Sequence, residues 1–135
     1  MPYKILVVDD EKEIVELIQD KLNKTGYVTS VAYDGEEALV KVASDNPDVI
    51  LLDLKLPKKD GFDVVKEVRE KYKNKWIPII IVSANTDIEA LKQCYGLEAD
   101  HYLTKPCDMD KILQGIETMI SLIPLRRQGE QSSGV

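Results

Sequence analysis

The chain has few of the residues that build covalent or metal-bound frameworks: its 135 residues include two cysteines and one histidine. Cys94 and Cys107 fit neither a CxxC pair nor the spacing of a zinc site, and His101 has no second histidine to act with. We therefore expect neither a disulfide framework nor a structural zinc site. Both cysteines are interpreted as small buried apolar residues.

An excess of positive charge and long apolar runs are also lacking. The net charge of −6 argues against nucleic acid as a direct partner, because phosphate binding requires a clustered basic face. The start of the chain, MPYKILVVDD, has too short an apolar run for a signal peptide. No window approaches the ~20 apolar residues of a membrane span. These absences predict a cytoplasmic protein with no membrane partner.

Apolar β-branched runs alternate with stretches of helical period throughout most of the chain. This alternation predicts an α/β protein with a doubly wound (βα)5 architecture and a parallel five-stranded sheet covered by helices on both faces. The first, third and fourth strands are continuously apolar and should be central, so the second and fifth should lie at the edges. The predicted strands are 4–8, 28–32, 48–52, 77–82 and 101–104, and the predicted helices are 12–24, 35–44, 61–72, 87–95 and 108–123.

The apolar stripes of the helices predict which side chains face the sheet. They include Ile14, Leu17, Ile18 and Leu22 in the first helix and Ile88, Leu91 and Tyr95 in the fourth. The pattern is lost after residue 123, where the sequence PLRRQGEQSSGV is rich in Gly, Ser and Gln. We therefore predict one domain over residues 1–123, followed by a flexible tail or the start of a linker over residues 124–135.

The stretch VILLDLKLP places a carboxylate, Asp53, at the end of a strongly apolar strand, where an unpaired charge is costly. Three other strands also end in polar residues. The first ends in Asp9-Asp10, the fourth in Ser83, and the fifth in Thr104-Lys105-Pro106. Because ligands of doubly wound folds bind at the carboxyl ends of the strands, we expect these side chains to converge on one edge of the sheet.

Clustered carboxylates need positive charge near them, and Lys105 supplies only one. Oxygen ligands without cysteine or histidine suit a hard divalent cation, which predicts a Mg²⁺ site. Such a site favours an aspartyl-phosphate at Asp53, with the Ser83 hydroxyl and the Lys105 ammonium binding the phosphoryl oxygens. The alternative is a purely structural role, in which Asp9 and Asp10 only cap the following helix.

These motifs resemble those of one protein family. VVDDE is similar to the acidic pair of the receiver domains of two-component response regulators, and LLDLKLPKKDG to their phosphoacceptor strand and loop. IVSA is similar to their hydroxyl-bearing fourth strand, and ADHYLTKP to the segment with a switch aromatic and a lysine-proline pair. Over about residues 3–122, therefore, the chain resembles a receiver domain, and the resemblance implies a flavodoxin-like fold with strand order 2-1-3-4-5.

The resemblance also implies a ligand set. Asp9, Asp10 and Asp53 would hold Mg²⁺ together with the backbone carbonyl of Lys55. Asp53 would accept a phosphoryl group from the phosphohistidine of a cognate histidine kinase or phosphotransfer protein, and Lys105 and Ser83 would bind that group. Apart from taking up and losing its own phosphate, the protein would not be an enzyme.

A phosphorylation-dependent switch is a further implication. Ser83 would move toward the phosphoryl group and Tyr102 would turn inward, which would change the surface of helix four, strand five and helix five. That surface would control a downstream protein or an output domain. The Lys105–Pro106 peptide would be cis, and Lys55 and Asn85 would tune the lifetime of the phosphate. The alternative interpretation of Tyr102 is half-buried packing, the usual role of an aromatic residue on an edge strand.

Alternatives remain beside this interpretation. A haloacid dehalogenase-type Mg²⁺-dependent phosphatase also uses an aspartyl-phosphate, but it requires DxD after the first strand, where this chain has Asp9-Asp10-Glu11. A flavin-binding protein would need a Ser/Thr/Gly-rich phosphate loop there. A receiver-like scaffold that binds partners without phosphorylation is a third alternative. The sequence leaves open the cognate kinase, the target, phosphorylation-dependent dimerisation, and whether the chain acts alone or belongs to a longer protein.

Overall fold

The computed structural model describes residues 2–85 and 87–133, with side chains as far as residue 126. Strands and helices alternate along these residues. The strands are β1 (Lys4–Val8), β2 (Val28–Ala32), β3 (Val49–Leu52), β4 (Ile79–Ser83) and β5 (His101–Thr104). The helices are α1 (Lys12–Thr25), α2 (Gly35–Asp45), α3 (Gly61–Lys71), α4 (Ile88–Gly96) and α5 (Met109–Ser133).

The five strands form one parallel sheet in the order β2-β1-β3-β4-β5, which confirms the predicted fold class and strand order. The continuously apolar strands β1, β3 and β4 are central, since each pairs with a strand on both sides. Strand β4 begins at Ile79, two residues later than predicted, and ends at Ser83. Ser83 therefore belongs to the strand and is paired with Thr104 of β5.

Alternate side chains of the sheet enter two separate hydrophobic cores. One core joins Leu6, Ile50 and Ile81 to residues of α2, α3 and α4. The other joins Ile5, Leu51 and Ile80 to residues of α1 and α5. Central strands that are buried on both faces must be apolar at every position, which is why their sequences do not alternate.

Short polar side chains fix where the helices begin. The carboxylate of Asp34 accepts a hydrogen bond from the backbone N–H of Glu37 at the start of α2, over 2.7 Å. Asp60 accepts in the same way from Asp63 N–H at the start of α3, over 3.0 Å. Such N-caps satisfy backbone donors that the first turn of a helix leaves unpaired.

The last helix differs from the sequence prediction. The predicted helix ended at residue 123, whereas α5 continues through Pro124 to Ser133. That residues 124–135 form a flexible tail or the start of a linker stays a prediction. Its extension is attached to the domain by Arg126, whose guanidinium lies 4.4 Å from the centroid of the Trp76 ring. This cation–π contact joins residues 50 positions apart, so the local sequence pattern cannot predict it. Residues 134–135 of the predicted tail lie outside the described residues.

The helices of residues 2–85 and 87–133 are too short or too polar to span a membrane.

Candidate functional site

Strand pairing brings Asp9 and Asp53 together. Val8 of β1 is in register with Leu52 of β3. Asp9 directly follows Val8, and Asp53 directly follows Leu52. The backbone N–H of Asp53 donates to the Val8 carbonyl over 3.0 Å, which extends the pairing to the phosphoacceptor candidate. The two carboxylates therefore leave the sheet side by side at its carboxyl edge.

Asp10 completes a group of three carboxylates at this edge. Asp9, Asp10 and Asp53 each offer an oxygen atom, and these atoms all lie within 4.8 Å of one another. Asp9 and Asp53 are buried, with 4% and 7% of their surfaces exposed, while Asp10 is exposed. Three oxygen donors, one of them open to solvent, fit a hard divalent cation that keeps several water ligands. The residues present therefore suit Mg²⁺.

Lys105 supplies the positive charge nearest to this group. Its Nζ donates to Asp9 Oδ2 over 2.6 Å and to Asp53 Oδ2 over 3.1 Å. Burial by itself lowers the pKa of the Lys105 ammonium, but the hydrogen bond to Asp9 and the charge of Asp53 outweigh burial and raise it above the ordinary value. Lys105 is therefore fixed as a cation between the two buried carboxylates.

The position of Lys105 depends on the β4–β5 pairing. Its backbone N–H donates to the Ser83 carbonyl over 2.8 Å, one step beyond the register pair of Ser83 and Thr104. The following Lys105–Pro106 peptide bond is cis. The lysine side chain thus starts at the β5 edge and crosses above β4 and β3 to reach Asp9.

A cavity of about 630 Å³ opens beside these groups. Six residues selected from the sequence line it, namely Asp10, Asp53, Lys55, Ser83, Asn85 and Lys105. Its size lies within the range of roughly 300–1,000 Å³ typical of small-ligand sites. The convergence expected for the strand ends is therefore present in the folded chain.

The loop after β4 connects Ser83 to Tyr102. The Asn85 backbone N–H donates to Ser83 Oγ over 3.2 Å, and the Tyr102 hydroxyl donates to the Asn85 carbonyl over 2.5 Å. Ser83 itself is buried, with 2% of its surface exposed. Burial and the negative charge of nearby groups, including Asp53, raise the pKa of the Tyr102 phenol. The backbone of one residue, Asn85, thus links the hydroxyl at the cavity to the aromatic residue of β5.

The loop after β3 is held by two close backbone approaches. A Cβ on Gly61 would lie 2.6 Å from the Asp53 carbonyl oxygen, and a Cβ on Gly35 would lie 1.9 Å from the Lys59 carbonyl oxygen. Both positions therefore admit only glycine without movement of the loop. The Lys55 backbone N–H donates to Asp53 Oδ1 over 3.3 Å, so the loop also orients the carboxylate.

Glu11 is a site residue to which the sequence argument gave no role. Its backbone N–H donates to Asp9 Oδ1 over 2.9 Å, and the residue lines the cavity. It also precedes α1 as the N-cap residue, without a capping bond from its own side chain. The sequence signal for this role was the position of Glu11, two residues after Asp9, where a backbone N–H can donate to an aspartate side chain.

The chain is similar to known proteins in both sequence and structure. The chain matches the family model of the response regulator receiver domain over residues 5–117. It is similar to the receiver domain of the Francisella response regulator 1452, with 36% identity and a TM-score of 0.80 over 87% of this chain and 95% of that chain. It is also similar to the Vibrio cholerae chemotaxis protein CheY4, with 31% identity and a TM-score of 0.82 over 88% of this chain and 99% of that chain.

Proposed function

The chain belongs to the response regulator receiver domain family, and we propose that Asp53 is its phosphoacceptor. The family places the chain in two-component signalling, as a phosphorylation-dependent switch rather than a conventional enzyme. The donor in this proposal is the phosphohistidine of a histidine kinase or phosphotransfer protein. The observation that carries it is the ion pair of Lys105 with both Asp9 and Asp53 beside an open cavity.

The transfer assigns a separate task to each side chain. A carboxylate oxygen of Asp53 attacks phosphorus in line, the new P–O bond forms as the P–N bond of phosphohistidine breaks, and the imidazole leaves with the electron pair. Lys105 pairs with one phosphoryl oxygen, and the Ser83 hydroxyl donates to another. Both groups already border the cavity.

Asp9, Asp10 and Asp53 would hold Mg²⁺ with the Lys55 backbone carbonyl. When bound, the ion neutralises negative charge on the phosphoryl oxygens. The chemistry of the donor set supports this assignment, because the described residues bring three carboxylate oxygens within 4.8 Å of one another.

The switch follows from the link between Ser83 and Tyr102. When Ser83 moves toward a phosphoryl group, its hydrogen bond from Asn85 N–H changes, and the Asn85 carbonyl that holds Tyr102 changes with it. The altered surface comprises α4, β5 and α5. A downstream protein or output domain would recognise one of its two arrangements.

Acetyl phosphate with Mg²⁺, followed by intact mass measurement, tests the proposal. We expect a gain of one phosphoryl group in the natural sequence and in Asp20→Asn, whose carboxylate lies exposed on α1. The gain should be absent in Asp53→Asn and should require Mg²⁺. An equal gain in Asp53→Asn would contradict the assignment of the acceptor.

The mass measurement, together with a phosphate-release assay on small phosphate esters, separates two of the alternatives from the proposal. A receiver-like scaffold would show no mass gain under any condition. A haloacid dehalogenase-type phosphatase would release phosphate continuously from small phosphate esters, whereas a receiver domain would take up a single group and lose it slowly.

A further inference from the structure

A second cavity lies at the amino ends of β4 and β5, whereas Asp53 lies at the carboxyl ends of the strands. It measures about 470 Å³ and is lined by four cations and two aromatic rings, namely Arg69, Lys73, Lys75, Arg126, Tyr72 and Trp76. The carboxylates of Glu98 and Asp100 also line it. The lining therefore has four positive and two negative charges, in a chain whose net charge is −6.

Asp100 and Arg69 form the rigid wall of this cavity. Arg69 donates to Asp100 Oδ2 over 2.7 Å and also to the backbone carbonyls of Ile77 and Glu98. The other oxygen of Asp100 accepts from Trp76 Nε1 over 3.1 Å. Because each charge of this pair is already compensated, the pair adds no net charge to the cavity.

Three cations remain, with Glu98 as the carboxylate opposite them. Within residues 2–85 and 87–126, Lys73, Lys75 and Arg126 form no ion pair. Together with the negative charge of Glu98, these three cations leave a net charge of +2 at the cavity.

Stacking fixes the direction of the Arg126 donors. Its guanidinium lies over the Trp76 ring at 4.4 Å, and Trp76 is buried with 6% of its surface exposed. A stacked guanidinium keeps the N–H groups at its edge available for a planar pair of oxygens. The cation is therefore preorganised to receive an oxyanion.

The like charges of Arg69 and Arg126 also interact across this cavity. Burial is the largest cause that lowers the pKa of Arg69, and the like charge of Arg126 lowers it further. Two guanidinium groups that repel each other are both stabilised when an anion binds between them.

We propose that the cavity binds a small organic phosphate. A phosphate monoester carries a charge of about −1.5 to −2 at pH 7, which matches the +2 left by the three cations and Glu98. The volume of about 470 Å³ exceeds the needs of a phosphate group, so an organic part fits against the half-buried ring of Tyr72. Since Arg126 belongs to the extension of α5, binding also stabilises that extension.

Trp76 is the single tryptophan of the chain and reports directly on this cavity. The test is a titration of its fluorescence with ribose 5-phosphate, with ribose as the control ligand, at fixed ionic strength and without Mg²⁺. We expect a saturable change with ribose 5-phosphate and none with ribose. The dissociation constant should rise by about fivefold or more in each of Lys73→Gln, Lys75→Gln and Arg126→Gln.

Lys66→Gln is the matched control, since Lys66 lies exposed on α3 and does not line the cavity. Its dissociation constant should equal that of the natural sequence. A response reproduced by sodium chloride, or one weakened equally by Lys66→Gln and Lys73→Gln, would overturn the proposal. Because Arg126 contacts Trp76, its substitution can change the fluorescence directly. The dissociation constant of Arg126→Gln is therefore also measured by titration calorimetry, which does not depend on Trp76 emission.

Discussion

Lys105 Nζ lies 2.6 Å from Asp9 Oδ2, which joins the β5 side of the sheet to the acidic end of β1. The same ammonium lies 3.1 Å from Asp53. The Lys105 ammonium is thus paired with two of the carboxylates that we propose as Mg²⁺ ligands. Metal binding and the Lys105 ion pairs are therefore expected to compete.

Removing this cation should strengthen metal binding. In Lys105→Gln, we expect the dissociation constant for Mg²⁺ to fall by about tenfold, because the carboxylates lose a competing positive charge. Phosphorylation by acetyl phosphate should nevertheless slow by about 10²-fold, because the phosphoryl oxygens lose a charged donor. Calorimetry and mass kinetics measure the two effects. Lys111→Gln on exposed α5 serves as the control, and weaker Mg²⁺ binding in Lys105→Gln would refute the competition.

Loss of the Tyr102 hydroxyl should uncouple phosphorylation from the surface. Tyr102→Phe removes the hydrogen bond to the Asn85 carbonyl but leaves the cavity intact. We expect the phosphorylation rate to stay within about twofold, because the change removes one neutral hydrogen bond of ~1 kcal/mol outside the reacting groups. Hydrogen exchange of α4 should respond less to phosphorylation than in Tyr95→Phe, whose ring is 48% exposed. An undiminished response would rule out this role for Tyr102.

The lifetime of the phosphate should depend on two residues that line the cavity, Lys55 and Asn85. Lys55→Ala and Asn85→Ala should each change the dephosphorylation rate by about threefold or more, because their side chains control how water reaches the phosphoryl group. Loss of the phosphorylated mass over time measures the rate. Lys58→Ala, in the same loop but outside the cavity lining, should leave it unchanged. Rates equal to that control would refute the tuning role.

The approach of α2 to the loop after β3 should make Gly35 intolerant of a side chain. In Gly35→Ala the new Cβ would lie 1.9 Å from the Lys59 carbonyl oxygen. Overpacking of this kind costs about 1–3 kcal/mol of unfolding free energy. Gly96→Ala is the control, because a Cβ there meets nothing within 4 Å and should stabilise α4 by about 0.5–1 kcal/mol. Urea unfolding measures both, and equal stabilities would show that the loop moves freely.

The Arg69–Asp100 pair should contribute far more to stability than an exposed pair. Its side chains are only 14% and 15% exposed. Arg69→Met leaves the Asp100 carboxylate without its cation, at a cost of about 3–5 kcal/mol. Lys59→Met breaks a pair whose side chains are 38% and 41% exposed, and should change the unfolding free energy little, because solvent screens an exposed pair. Similar losses in thermal or urea unfolding would contradict the difference in burial.

Periodicity was sufficient to predict the sheet. The bounds predicted for β1, β2 and β5 are those of the structure. In β1 and β2 the signal is a short run rich in Val and Ile or Thr, whereas β5 has one β-branched residue, Thr104. The position of the site was also predictable, because the carboxyl ends of parallel strands must lie at one edge. No helix contact has to be known for either inference.

Helix faces were predicted less well. In α1, Leu17 is 65% exposed whereas Val15 is fully buried, and in α4 the predicted residue Ile88 is 64% exposed. The side chains of α4 that reach the core are the small Ala90 and Cys94. An apolar stripe defines an arc of the helix, but the contact with the sheet decides which part of that arc is covered.

The sequence by itself determined the βα alternation, the central strands, and the acids, hydroxyl and lysine that end the strands. Only the tertiary structure decided which of these groups pair, because the ion pair of Lys105 with Asp9 spans 96 positions of the chain. It also decided that α5 continues beyond residue 123, through the contact of Arg126 with Trp76. Local patterns record the preferences of neighbouring residues, whereas these contacts exist only after the sheet and helices have packed.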